Sequence, residues 1–151
     1  MALYLVQHGK NLPKEEDPDK GLSAEGTVEV ERMAAMAEGH GLTVSTIKHS
    51  GKKRAQQTAE IFSRVLHLAA GVEAVEVMGP LDDVTALDLE SDRDEMLVGH
   101  LPFMEKLTAH LAAGDPDRAP VFKFQNAGIV CLKQGDREGW YIAWALVPHI
   151  P

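Results

Sequence analysis

A single cysteine, Cys131, stands among 151 residues, which excludes any intramolecular disulfide framework. It lies in the apolar run Gly128 to Leu132 and is expected to be a small buried hydrophobe. No stretch is long and apolar enough to span a bilayer, and the start lacks a basic region followed by an apolar one. The expectation is therefore a cytoplasmic protein. Positive charge is scarce as well: 15 Lys and Arg face 23 Asp and Glu, for a formal net charge of -8. That balance speaks against nucleic acid or an anionic membrane as the main partner, and leaves room for a small cationic pocket. Internal repeats, low-complexity tracts and a second domain are also missing. The length suits one core, so residues 1–151 read as one domain.

What is present begins with Leu3-Tyr4-Leu5-Val6, a short continuously apolar strand expected to be buried on both faces. It stops at Gln7 and His8, and Gly9 turns the chain. In an open α/β sheet ligands bind just beyond the carboxyl ends of the strands, so His8 stands where such a sheet presents a reactive group. The plainer role is a strand-end histidine that bonds a loop carbonyl. Lys10 to Gly21, rich in charge and proline, is a loop leaving the same edge. Ser23 is the expected N-cap of a helix with Ala24, Val28, Ala35 and Met36 on one face, ended by Gly39 and Gly41.

Thr43 to Ile47 is the second expected strand. It runs into Lys48-His49-Ser50-Gly51-Lys52-Lys53-Arg54, and the spacing of Ala55, Ala59, Phe62 and Leu66 predicts a helix starting near Ser50 or Gly51. A cation in a first helical turn opposes the helix dipole. Lys52, Lys53 and Arg54 are then either a solvated charge cluster or part of an anion site with the free backbone N–H groups. Glu73 to Val77 is a third strand. Asp82 or Asp83 caps a short helix carrying Val84 and Leu87, followed by a charged loop from Ser91 to Asp94. Met96-Leu97-Val98 is a fourth strand, ending at Gly99-His100-Leu101-Pro102. Pro102 suits the first turn of a helix whose buried face holds Phe103, Leu107 and Leu111. His100 thus repeats the position of His8. Gly128 to Leu132 and Trp140 to Leu146 form a hairpin around the polar connection Gln134 to Gly139. The order implies an α/β fold, a mostly parallel sheet with helices on both faces.

Gln7, His8, His49 to Arg54 and His100 fall at one edge of that sheet, and Asp82 and Asp83 follow the third strand there. One reading is a metal site with His8, His49, His100 and an aspartate, although the helical spacings that bring two ligands together are missing. The other is phosphoryl transfer, in which a histidine nucleophile needs cationic and hydrogen-bonding groups around three phosphoryl oxygens. An arginine at a helix start favours the second, since a guanidinium matches phosphate geometry and does not bind metals.

Four segments resemble the histidine phosphatase superfamily. Gln7-His8-Gly9 resembles its Arg-His-Gly signature with one change, and Leu22-Ser23-Ala24-Glu25-Gly26 resembles its L-T/S-x-x-G helix start. His49-Ser50-Gly51-Lys52-Lys53-Arg54-Ala55-Gln56-Gln57-Thr58-Ala59 resembles its S-S-P-x-x-R-A-x-Q-T-A segment, with Gly51 in place of proline. Gly99-His100-Leu101-Pro102 resembles its G/S-H-x-P motif. Their order and spacing are similar to the SixA-type phosphohistidine phosphatase branch over nearly the whole chain. The resemblance implies a phosphoglycerate-mutase-like three-layer α/β/α sandwich with one antiparallel strand. It implies His8 as nucleophile, and Gln7, Ser50, Arg54 and His100 as phosphate ligands, with Arg54 and His100 also serving the transition state. Asp82 and Asp83 lie where larger members keep a general acid. The expected activity is a phosphatase acting through a phosphohistidine intermediate without cofactor or metal. Its expected substrate is phosphohistidine in a protein, such as a phosphotransfer domain, or a small phosphoester. With Gln7 replacing an arginine, the alternative is a protein that binds phosphate or a phosphorylated partner without turnover.

Overall fold

The computed structural model describes residues 1–90, 92–137 and 139–150. Ser91 of the expected charged loop and Glu138 of the hairpin connection lie outside them. Side-chain alternation in two apolar strands decides how the layers stack. In β1 (Ala2–Gln7) Tyr4 and Val6 serve one core and Leu3 and Leu5 the other, and β4 (Glu95–Gly99) divides Met96 and Val98 from Leu97 in the same way. A strand buried on both faces needs cover on both. The first face carries α1 (Ala24–Gly39) and α2 (Lys53–Val65) through Val30, Met33, Ala34, Ala59 and Phe62. The second carries α3 (Phe103–Ala113) through Phe103, Met104 and Leu107.

The remaining strands are β2 (Thr46–His49), β3 (Val72–Ala74), β5 (Ile129–Gln134) and β6 (Trp140–Leu146). Strand order is β3-β2-β4-β1-β5-β6. β1 to β4 run parallel, and β5 is antiparallel to both β1 and β6. The chain therefore forms the expected mostly parallel sheet with one antiparallel strand. A direct consequence is that the carboxyl ends of β1, β2 and β4 and the amino end of β5 share one edge.

Several local expectations change. α1 buries Gly26, Glu29, Val30, Met33, Ala34 and Ala37, while Val28 is 65% and Met36 39% exposed. Ala24 and Ala35 also face outward. The packed face mixes Val30 and Met33 with the small Gly26, Ala34 and Ala37 and with Glu29, so its apolar stripe is interrupted. A side-chain carbon on Gly26 would run into the carbonyl oxygen of Lys10, so only glycine lets the loop after β1 cross the helix start. Ser23 does cap this helix, accepting from the Gly26 N–H at 2.9 Å. β2 begins at Thr46 rather than Thr43, because pairing starts only where Thr46 meets Glu95 of β4. β3 ends at Ala74, since β2 offers no partner beyond His49. Glu76–Met78 then tightens into a 3-10 turn. The expected short helix after Asp83 is a 3-10 turn, Val84–Ala86.

Candidate active site

His8 and His100 leave adjacent parallel strands, since β1 and β4 pair with Gln7 opposite Gly99. Their rings meet with centroids 5.0 Å apart. Both are buried, at 8% and 2% exposure. The backbone around His8 is held on both sides: its N–H donates to the Gly99 carbonyl at 3.0 Å, and its carbonyl accepts from Asn126 Nδ2 at 2.9 Å. Ala127 N–H donates to the Gln7 carbonyl at 2.9 Å. One turn on, Gly9 N–H donates to Thr58 Oγ1 at 3.0 Å, and that hydroxyl donates to the Arg54 carbonyl at 2.8 Å. The fully buried Thr58 thus ties the turn after His8 to the first turn of α2.

The two imidazoles differ in how their nitrogens are used. His8 Nδ1 lies 2.7 Å from the Gly9 carbonyl. A carbonyl only accepts, so Nδ1 carries the proton and Nε2 keeps its lone pair. Burial pushes the His8 pKa down to about 4, against the bond to Gly9 and helped by the Arg54 charge. His8 is therefore neutral near pH 7. His100 Nε2 lies 2.5 Å from Ser50 Oγ, while its Nδ1 is buried without a partner among the described residues. Burial, then the charges of His8, Arg54 and Lys52, push the His100 pKa down to about 3.

Arg54 is the second residue of α2 and half-buried. Burial lowers its pKa, yet a guanidinium stays charged at any pH of interest. It lies close enough for that charge to be felt at both imidazoles. The helix starts at Lys53 rather than at Ser50 or Gly51, with Lys52 as an N-cap that makes no side-chain bond, leaving the first N–H groups of α2 without a side-chain cap. Gly51 stands at φ +88°, a conformation closed to proline, whose ring holds φ near -65°. The turn here therefore differs from one carrying proline at this position.

Of the other sequence candidates, Gln7 lies next to His8, while His49, Asp82 and Asp83 bond within their own loops. Gln7 is half-buried at the end of β1, with its side-chain oxygen buried and without a partner among the described residues. His49 Nδ1 accepts from the Gly51 N–H at 3.0 Å. Asp82 accepts from the Gly79 N–H at 2.7 Å and Asp83 from the Thr85 N–H at 2.9 Å, so both carboxylates hold their own loop. Lys10 is paired with Glu25 at 2.7 Å. No cluster of three or more His, Cys, Asp or Glu able to hold a metal ion occurs among the described residues. Sequence reasoning missed Asn126 and Thr58. Asn126 could have been found: β5 is antiparallel, so the residues before it must lie where β1 and β4 end.

The fold is shared with solved phosphatase structures. The chain superposes on the protein histidine phosphatase SixA, a structure complexed with tungstate, with a TM-score of 0.84 and 24% identity over 98% of this chain and 97% of that one. It also superposes on the α-ribazole phosphatase of Shigella flexneri (TM-score 0.75, 13% identity, 100% and 98% covered). The phosphoserine phosphatase of Entamoeba histolytica, solved with 3-phosphoglyceric acid, follows at TM-score 0.73 and 14% identity, with 95% of each chain covered. No protein-family model matches the chain, and no curated protein matches it. No helix among the described residues is long and apolar enough to cross a membrane.

Proposed function

We propose that residues 1–151 act as one histidine-phosphatase-like domain that removes phosphoryl groups through a phosphohistidine at His8, with phosphohistidine in a protein as substrate. The observation that carries this reading is the state of His8: a buried neutral imidazole whose Nδ1 proton is held by Gly9, leaving Nε2 free beside a charged arginine. Nε2 attacks phosphorus in line, the bond from phosphorus to the leaving nitrogen breaks, and the departing imidazole takes its proton from solvent. Water then attacks phosphorus, releasing inorganic phosphate and restoring His8. Arg54, the free N–H groups of α2, His100, Ser50 and the Gln7 amide surround the phosphoryl oxygens. The Gln7 amide can present either its oxygen or its nitrogen by a simple flip, so it offers an N–H to a phosphoryl oxygen where the resemblance has an arginine. The tungstate of the SixA structure is a tetrahedral oxyanion of the kind such a pocket takes.

The choice of a nitrogen leaving group follows from Asp82 and Asp83. Both are engaged by their own loop, so neither is set to protonate a leaving oxygen. An imidazole departs more readily than an alkoxide and depends less on an acid. The deciding assay measures phosphate release from a phosphohistidine protein and from an aryl phosphate, with chelator present. Chelator-resistant turnover that favours the phosphohistidine protein is expected. Phosphate binding without any turnover would replace this reading with that of a non-catalytic phosphate-binding protein.

A further inference from the structure

A groove of about 710 Å³ leads away from Arg54 between the loop after β1 and the start of α2. Lys14, Lys20, Lys52, Lys53 and Arg54 line it, against one acidic residue, Asp19. These are five of the chain's 15 Lys and Arg, in a protein of net charge -8, so the composition does not produce this concentration by itself. The walls are fixed. Asp17 accepts from the N–H groups of Asp19 and Gly21 at 3.1 and 2.8 Å and binds Lys53 Nζ at 2.9 Å. Gln57 Oε1 accepts from the Leu22 N–H at 2.7 Å. Lys53 is thus engaged in holding the loop to the helix. Lys14, Lys20 and Lys52 are exposed and have no carboxylate within ion-pair distance among the described residues. Lys20 is held at φ +51°, where glycine would sit with less strain; the chain keeps a cation there.

We propose that this groove docks an acidic segment of a protein substrate lying next to its phosphorylated residue. The inference rests on the phosphatase reading above and adds the feature by which a substrate is chosen. Arg54 borders both the phosphoryl site and the groove, so carboxylates in the groove lie beside the phosphoryl group. Long exposed lysine arms suit a run of separate carboxylates, whereas a compact polyphosphate calls for rigid, convergent donors. In an acidic protein such a strip also orients an acidic partner that the remaining surface repels.

The test is a binding measurement on the full chain, so it stands whether or not turnover is found. A labelled peptide carrying a non-hydrolysable phosphohistidine analogue followed by four glutamates is compared with the same peptide carrying four glutamines. The glutamate peptide is expected to bind about tenfold tighter at low salt, the gain that two or three exposed ion pairs supply. That preference is expected to fall at high salt and to vanish in Lys14→Glu/Lys20→Glu. Equal binding of the two peptides, or a preference that survives the charge reversal, overturns the proposal. Tripolyphosphate that binds through Lys14 and Lys20 with no preference for the glutamate peptide also overturns it, assigning the groove to small polyanions. Failure of the phosphatase reading shows separately, as absent turnover in the chelator assay.

Discussion

The turns at the ends of β1 and β4 look alike in sequence and behave differently in the structure. Each follows a buried apolar strand, each places a buried histidine at the same sheet edge, and the two rings touch. At β1 the imidazole gives its Nδ1 proton to the carbonyl of the very next residue, Gly9. At β4 the imidazole is bonded at Nε2, by Ser50 from the neighbouring strand end. In the proposed mechanism the free Nε2 lone pair makes His8 the nucleophile, and His100, whose Nε2 is shared with a hydroxyl, serves as an oxyanion ligand. Identical position therefore does not mean identical role; the partner of each nitrogen decides.

The widest separation between the two histidines is expected from alanine substitution. His8→Ala should reduce turnover to background and abolish acid-labile, alkali-stable phosphoryl labelling. His100→Ala should slow turnover about 10²- to 10³-fold, the usual loss of one oxyanion donor, while the label still forms on His8. Labelling that persists in His8→Ala and disappears in His100→Ala would reverse the assignment.

The Arg54 charge is felt at both rings, so its loss should not discriminate between them. Arg54→Ala is expected to lower kcat/KM about 10²- to 10³-fold and to weaken vanadate inhibition in parallel. A variant that keeps vanadate affinity would place the anion elsewhere.

Gln7 ends β1 and precedes His8, and its replacement sharpens the comparison from the β1 side. A hydrogen bond to a charged group contributes roughly 1.5–3 kcal/mol against about 1 for a neutral pair. Gln7→Arg should therefore raise the rate about 2- to 30-fold. Lys10 is held by Glu25, so Lys52 is the lysine able to supply the missing charge. If it does so already, Gln7→Arg changes little and Lys52→Ala costs as much as Arg54→Ala; a small effect of both substitutions would remove Gln7 from the account.

The smallest expected difference is in pH dependence. Both histidines have pKa values below the ordinary 6.5, at about 4 and about 3. The unfolded chain takes up protons as pH falls through 6.5 and the folded chain does not. Their contribution to stability is thus present above pH 6.5 and is lost as pH falls through 4 and 3, by at most about 1.4 kcal/mol per pH unit for each group. The Tm of His100→Gln should fall less steeply than that of the wild type between pH 6.5 and 4. The acid limb of kcat/KM in the wild type should lie below pH 6.5. A limb at the ordinary histidine pKa would mean that His8 is not buried during turnover.

By itself the sequence determined the layers and the edge. Continuous apolar runs at Leu3–Val6 and Met96–Val98 can be satisfied only by cover on both faces, and a strand–helix alternation allows little but a parallel sheet. Gln7, His8, Arg54 and His100 were legible as one constellation because parallel strands all end at the same side. Other features were decided only by the tertiary structure. The buried face of α1 depends on what the helix packs against, and small residues such as Ala34 and Ala37 leave little trace in hydropathy. The ends of β2 and β3 depend on how far their neighbours extend. Asn126 reaches His8 across 118 positions of chain, and Ser50 reaches His100 across 50. Asn126 thereby holds the backbone at His8 and Ser50 occupies Nε2 of His100, contacts that only folding can make, whereas the Gly9 carbonyl that fixes the His8 tautomer comes from the next residue in the chain.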